Sequence, residues 1–255
     1  MCFNVSITKK ADEIEELFNA RFIQPELFQP IYHVSAFSKP VLPVITSNSS
    51  RHIQLFQWGL IPSWVKDIGK AEEIRFQTGN ARDDTIFEKP SFRGPIMTKR
   101  CLVPVDGFYE WQEVRGKNYP HYIHLLGRRA FALAGIWDRW RSPPAVNTDG
   151  AGSDTGTMHQ TFSIITTKAN SLMERIHNKK KRMPVILQKR DYPAWLDDSL
   201  DVEEITRLMQ PYDEYEMIAY PVSRLISRRD VDNNVPGVME PHTYSELLTK
   251  DLFSF

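Results

Sequence analysis

The segment 100-RCLVPVDGFYEWQEV-114 decides the fold class of this chain. Apolar residues lead into Asp106-Gly107, and aromatic residues follow it. Asp-Gly is a strong turn dipeptide, whereas Val, Phe, Tyr and Trp favour extended backbone. We therefore predict a strand, a turn at Asp106-Gly107 and a second strand.

Strand patterns continue on both sides of this segment. The stretch 52–64, HIQLFQWGLIPSW, alternates as a strand and then breaks at Gly59 and Pro62. Later strand-like stretches are HYIHLL (121–126), AFALAGIWDRW (130–140), TFSIITTKAN (161–170) and MPVIL (183–187).

Helical patterns are fewer and shorter. In ADEIEELFNARF (11–22), Ile14, Leu17 and Phe18 recur at helical spacing behind an acidic first turn. Short helices are also expected in SLMERIH (171–177), DYPAWLDD (191–198) and DVEEITRLM (201–209). Many short strands with few helices predict an α+β fold with a large mixed or antiparallel sheet.

Composition indicates one globular domain over residues 1–255. Hydrophobic residues make up 41% of the 255 residues and charged residues 25%, which is enough to bury a core. The stretch 141–160, RSPPAVNTDGAGSDTGTMHQ, is rich in Pro, Gly, Ser and Asp and has strand-like sequence on both sides. We predict a flexible surface insertion there, within a single domain.

Charge and cysteine content restrict the possible locations and partners. The formal net charge is zero, so binding of nucleic acid would require a local patch. The first residues lack the apolar region of a secretion signal, and no stretch is long enough to span a membrane. The two cysteines, Cys2 and Cys101, are too few for a disulfide framework and fit a reducing cytoplasm. Cys101 lies in a strand-like stretch and is expected to be a buried core thiol.

Three polar segments lie where strands end. In the first, Asn80 and Arg82 follow Gly79, which favours a turn, although in extended backbone the two side chains would share a face. In the second, alternation places Glu110 on the same face as Phe108. Glu110 is then either an edge-strand residue that faces water or a buried acid suited to proton transfer.

The third polar segment begins at His177 and continues as a run of four cations, 179–182. A lone histidine is most often structural, and such a run is usually a solvated loop that could also follow a phosphate backbone. Since neither metal-ligand spacing nor a phosphate-binding or dinucleotide-binding loop is present, we expect neither a metal nor an organic cofactor.

Taken together and in order, these motifs resemble the SRAP family, the SOS-response-associated peptidase-like proteins. The resemblance is carried over nearly the whole chain by Met-Cys at the start, WGLIPSW (58–64), NAR (80–82), RCLVPVDGFYEW (100–111), IHNKKKRMPVIL (176–187) and PVS (221–223). It implies an α+β domain with a barrel-like β core flanked by helices.

The resemblance implies that the protein protects abasic sites in single-stranded DNA by a covalent crosslink. After removal of Met1, the Cys2 amine would form a Schiff base with the ring-opened sugar, and the thiol would close a thiazolidine. An α-amine has a pKa near ~7.7, so part of it is neutral at cytoplasmic pH, whereas a lysine, near ~10.4, would be mostly protonated. The protein would act in the cytoplasm, at the nucleoid in a bacterium, as a monomer.

The resemblance also assigns roles to individual residues. Asn80 would hold the Cys2 backbone, Glu110 would accept protons from the amine, and His177 would act as acid or base on the sugar. The expected DNA contacts are Arg82 on a phosphate, Trp64 and Trp111 on bases, Thr166, and the cations Lys179, Lys180, Lys181 and Arg182.

Two features depart from the family pattern, and two other functions stay open. Phe3 and Asn4 stand where relatives commonly have Gly-Arg, and the loop after His177 is longer than usual. The first alternative is an autoproteolytic or N-terminal-nucleophile cysteine peptidase, in which Cys2 attacks an amide. The second is a single-strand nucleic-acid binder in which Cys2 takes no part.

Overall fold

The computed structural model describes residues 2–144, 156–228 and 230–248. The strands in this part of the chain are β1 (Asn4–Ile7), β2 (Arg21–Phe22), β3 (Ile31–Ser35), β4 (Val41–Thr46), β5 (Ser49–Trp58), β6 (Asn80–Arg82), β7 (Arg100–Val105), β8 (Gly107–Val114), β9 (Lys117–Leu125), β10 (Phe131–Arg141), β11 (Met158–Lys168), β12 (Arg182–Pro184), β13 (Ile186–Leu187) and β14 (Met217–Pro221). The helices are α1 (Ala11–Phe18), α2 (Ile68–Gln77), α3 (Pro95–Thr98), α4 (Ser171–Ile176), α5 (Tyr192–Leu196), α6 (Val202–Leu208) and α7 (Ser245–Leu248).

Five strands close into a barrel. Antiparallel pairing joins β11, β10, β7, β4 and β5 in that order. The ring closes because β5 pairs in parallel with β11, where Thr161 lies opposite Gln57 and Phe162 opposite Trp58. Strands β2, β6, β12 and β13 extend the barrel at its margins. The expected α+β fold with a barrel-like core is confirmed.

A second sheet packs beside the barrel and carries the chain's N-terminal strand. Its antiparallel strand order is β14-β9-β8-β1-β3. Both strands predicted in segment 100–114 are present, but they do not pair with each other. The turn at Asp106 instead carries the chain from the barrel into the second sheet.

Two contacts explain this change of sheet. The Asp106 carboxylate accepts a 2.6 Å hydrogen bond from the Ser6 hydroxyl, and it also accepts the backbone N–H of Thr8. A Cβ at Gly107 would lie 2.2 Å from the Tyr122 hydroxyl oxygen, so only glycine fits. The turn is thereby fixed against β1, about a hundred residues earlier in the chain.

Most of the predicted elements are present. Helix α1 has its acidic first turn, and β5 ends at Trp58, directly before Gly59. At the predicted insertion, β10 extends to Arg141 and β11 begins at Met158, so both ends of 141–160 belong to strands. Residues 145–155 lie outside the described residues, and the flexible insertion therefore stays a prediction. Within the described ranges, every helix is too short or too polar to cross a membrane.

Candidate functional site

The site begins at Cys2, immediately before β1. Cys2 is fully buried, and β1 pairs with β8 on one side and with β3 on the other. Glu110 lies on β8 and is 4% exposed. It is therefore the buried acid, and not the water-facing edge residue, of the two interpretations that the sequence left open.

His177 reaches the same site from the end of α4. Asn170 caps the start of this helix by accepting the backbone N–H of Met173 at 2.9 Å. Helix α4 packs against β8, and the His177 Nε2 lies 3.7 Å from Glu110 Oε2. The Asn178 side chain holds the end of α4 against β8. It accepts the backbone N–H of Glu113 and donates to the backbone carbonyl oxygen of the same residue.

The proton positions on His177 follow from its partners. Its Nδ1 lies 2.8 Å from the Arg182 carbonyl oxygen, which can only accept, so Nδ1 carries a proton. In the neutral ring, Nε2 then presents a lone pair towards Glu110. Burial lowers the pKa of His177, and the Glu110 carboxylate acts in the opposite direction. At neutral pH His177 is therefore a neutral base.

The Cys2 thiol is held in its protonated form. Burial, and secondly the negative charge of Glu110, raise the pKa of this thiol well above its ordinary value. The thiol therefore needs a neighbouring base before it can act as a nucleophile.

Asn80 contributes the remaining polar group of the site. The sequence favoured a turn at this position, and that interpretation is wrong: residues 80–82 form β6, which pairs in parallel with β11 and places Asn80 opposite Ile164. Asn80 is 7% exposed, and neither Oδ1 nor Nδ2 has a hydrogen-bond partner among the described residues. A buried amide without partners is costly in a fold and is typical of a group kept for a ligand.

The family follows from comparison with known proteins. The family model described as SOS response associated peptidase (SRAP) matches residues 1–229. The chain belongs to the SRAP family.

Relatives within the SRAP family cover most of this chain. The abasic site processing protein YoqW of Bacillus subtilis is 38% identical over 245 residues, which is 95% of this chain and 100% of that protein. The chicken (Gallus gallus) abasic site processing protein HMCES is 32% identical over 216 residues, 76% of this chain and 59% of that protein. A crystal structure of a Bacteroides thetaiotaomicron protein superposes with a TM-score of 0.85 at 41% identity, covering 95% of this chain and all of that one.

Two of the expected DNA contacts are not at the surface of this SRAP domain. Thr166 is fully buried, with its hydroxyl 3.4 Å from the Ala81 carbonyl oxygen. Arg182 is the first residue of β12 and pairs with Asp83 at 2.7 Å. Its guanidinium also donates to the Thr166 carbonyl. Both side chains are used to join β11, β12 and the segment after β6. The expectation that either one contacts DNA directly is therefore corrected.

The other expected cations are better placed. The Arg82 side chain is 52% exposed and paired with the Asp84 carboxylate. Lys179 is exposed and paired with Glu113, and Lys180 and Lys181 are also exposed. These four positions therefore present cations around the site, two of them already balanced by a carboxylate.

The two tryptophans differ in exposure. Trp64 is 53% exposed and lies on one wall of an open groove of about 540 Å³ that also contains Arg93 and Lys99. Trp111 is half-buried, and its Nε1 lies 3.3 Å from Ser227 Oγ. Trp64 is therefore the better candidate for contact with bases.

Sequence reasoning missed two histidines near the site. His121 lies directly opposite Glu110 on β9, and its buried position lowers its pKa. His33 joins Asn4 to Asn233, with both ring nitrogens 3.0 Å from amide oxygens. Alternation in HYIHLL could have indicated His121, whereas nothing local indicates His33. Among the described residues, no group of three or more His, Cys, Asp or Glu side chains could hold a metal ion.

Proposed function

We propose that this protein processes abasic sites in single-stranded DNA by bonding them covalently to Cys2. The observation that carries the proposal is the buried Cys2 at the chain start, within electrostatic range of Glu110, which lies beside His177. The activity named for its relatives, the abasic site processing proteins, supports the same function.

The chemistry requires an amine and a thiol on neighbouring carbons. Once Met1 is removed, the Cys2 α-amine attacks the aldehyde carbon of the ring-opened sugar, and loss of one water leaves an imine. The thiol sulfur then adds to the imine carbon, and its proton passes to the nitrogen. The product is a five-membered thiazolidine, and no oxidant or reductant is consumed.

Glu110 and His177 move the protons of this reaction. Glu110 takes a proton from the attacking amine and returns it to the departing hydroxyl. His177, neutral and with its Nε2 lone pair towards the site, accepts a proton from the sugar hydroxyl during ring opening. The raised pKa of the Cys2 thiol makes the amine the first nucleophile and the thiol the second.

Asn80 and the surrounding cations hold the reactants. The Asn80 amide, which has no hydrogen-bond partner in the described part of the chain, supplies a donor and an acceptor for the Cys2 backbone or the sugar. Arg82 exchanges Asp84 for a phosphate, Lys180 and Lys181 add positive charge, and Trp64 stacks on a base.

The same thiol counts against the peptidase alternative. A cysteine peptidase needs a thiolate as its first nucleophile, and such thiolates have lowered pKa values. Here burial raises the pKa of the Cys2 thiol. We also propose that the chain acts as one domain, as a monomer in the cytoplasm; its two buried cysteines, neither in a disulfide, fit that compartment.

The experiment is a crosslinking assay with an abasic single-stranded oligonucleotide. The purified protein, with Met1 removed, should give a heat-stable shifted band that Cys2→Ala abolishes. An intact strand of the same sequence serves as the control substrate. Persistence of the band in Cys2→Ala would refute the assignment to Cys2, and turnover of an amide substrate would favour the peptidase.

A further inference from the structure

Large aromatic rings are exposed directly beside the reactive end of the chain. Phe37 is 61% exposed and Phe76 is 59% exposed. Phe3 is half-buried beneath Phe37, with their ring centroids 4.9 Å apart and their planes tilted by 39°. Single exposed apolar residues are ordinary, but grouped aromatic rings beside a reactive residue are typical of a binding surface.

This surface is joined to both Cys2 and Asn80. Phe3 follows Cys2 in the chain, and its backbone carbonyl accepts the N–H of Ala36 at 2.8 Å. On its other side, the Phe3 ring lies 3.4 Å from the position that a Cβ on Gly79 would take. Because Gly79 precedes Asn80, the Phe3 ring packs against the backbone directly before Asn80.

Lys39 connects the two exposed rings. It lies two residues after Phe37, and its ammonium nitrogen is 4.6 Å from the centroid of the Phe76 ring. The same ammonium pairs with Glu72, which holds it in place. Lys39 therefore puts an ammonium group at the edge of an aromatic surface, and this group can exchange Glu72 for a phosphate. Aromatic rings with a cation beside them are the combination that binds single-stranded nucleic acid.

We propose that Phe3, Phe37, Phe76 and Lys39 form a stacking platform for the nucleotide next to the abasic site. The inference rests on the proposed function, since a strand bonded to Cys2 must continue across the adjacent surface. Phe37 presents the stacking face, Phe3 supports it from beneath, and Lys39 faces the phosphate. Phe3 then has a role at the position directly after Cys2, where its ring supports the stacking face of Phe37.

Binding to a non-reactive strand isolates this contact. The probe is a single-stranded oligonucleotide with a tetrahydrofuran abasic analogue, which has no aldehyde, between two purines. Fluorescence anisotropy at fixed salt should give a Kd for Phe37→Ala that is roughly tenfold weaker than for the wild type, and Phe37→Trp should restore it. Tyr215→Ala removes a ring that is 83% exposed elsewhere and should leave the Kd unchanged.

A second strand tests whether a base is the occupant. In this strand the bases beside the lesion are also replaced by the analogue. The wild-type Kd should then weaken by the same factor as it does in Phe37→Ala, and the Kd of Phe37→Ala should not weaken further. The platform would be overturned if Phe37→Ala had the same Kd as Tyr215→Ala. It would also be overturned if the Phe37→Ala substitution weakened the Kd equally on both strands. Unchanged thermal unfolding of Phe37→Ala excludes a folding defect.

The proposed function and the platform fail in different ways. If wild-type protein forms no heat-stable crosslink with a true abasic strand, the proposed function is wrong. If the wild type crosslinks but its Kd does not depend on Phe37, only the platform is wrong.

Discussion

At the scale of single residues, the site is defined by groups that the fold keeps neutral or without partners. Burial raises the pKa of the Cys2 thiol and lowers that of His177, so neither is charged at neutral pH. Both side-chain polar atoms of Asn80 lack hydrogen-bond partners among the described residues. An amide buried in this way reduces stability, and it is explained if a substrate completes its hydrogen bonds.

Replacing Glu110 should affect chemistry and not binding. Glu110→Gln keeps the shape of the side chain but cannot accept a proton, so we expect the crosslinking rate to fall roughly 100-fold. Binding of the tetrahydrofuran strand should be unchanged, because that strand does not react. Single-turnover kinetics on an abasic strand give the rate, and a rate equal to that of the wild type would rule out Glu110 as the proton acceptor.

Asn80→Ala should separate stability from activity. Because the Asn80 amide is buried and none of the residues that the structure describes bonds it, its removal should leave the thermal midpoint unchanged or higher. The crosslinking rate should nevertheless fall by about tenfold or more, the effect of losing an orienting hydrogen bond. Calorimetry and the crosslinking assay measure the two quantities. A large drop in the midpoint with normal kinetics would show that Asn80 is only structural.

At the scale of elements, local sequence predicted the strands but not their partners. The segment 100–114 contains both strands that its composition indicates. The partners of Asp106 are Ser6 and Thr8, which local patterns cannot reveal, so the change of sheet was not predictable. The local pattern at Asn80 indicates a turn for the same reason, since its extended backbone depends on pairing with β11.

The basic run after His177 divides into two elements with different consequences. Arg182 lies in β12 with its guanidinium on Asp83, whereas Arg82 pairs with Asp84 at the surface. Arg182→Ala should lower the free energy of unfolding by about 3 kcal/mol, because it leaves a partly buried carboxylate unpaired.

The matched control is Arg82→Ala, which should cost at most about 1 kcal/mol because its ion pair is exposed. It should weaken strand binding and reduce its salt dependence, as the loss of one phosphate contact does. Urea unfolding and anisotropy at several salt concentrations test both variants. Equal losses of unfolding free energy in the two variants would contradict the assignment of Arg182 to a structural ion pair and of Arg82 to a surface one.

At the scale of the whole molecule, three buried histidines make stability depend on pH. Burial lowers the pKa of His33, His121 and His177 below the ordinary value of 6.5. As the pH falls, the unfolded chain protonates these histidines before the folded chain does. The contribution of the neutral histidines to the free energy of unfolding is therefore complete above pH 6.5 and is lost below it.

We therefore expect the urea midpoint to fall as the pH is lowered from 7.5 to about 5. The carboxyl groups with lowered pKa values, among them Glu72 and Asp84, act with the same sign but in a more acidic range. Replacing His33 by Gln should reduce the fall, and a midpoint that stays constant or rises over this range would contradict the buried neutral state.

The complete site exists only because distant parts of the chain meet. Cys2, Asn80, Glu110 and His177 could be selected from the sequence by family resemblance, since each lies in a recognisable motif. The His33 bridge and the Phe3–Phe37 contact could not, because they depend on side chains that meet only in the folded chain.

The most direct test of the central claim is the intact mass of the product formed with an abasic strand. For the wild type we expect the mass of the chain without Met1 plus that of the strand, less one water, in an adduct that survives heating without reduction. Cys2→Ser retains the amine but lacks the thiol, so its adduct should survive only after borohydride treatment. A heat-stable, unreduced adduct of the same composition in Cys2→Ser would contradict the account.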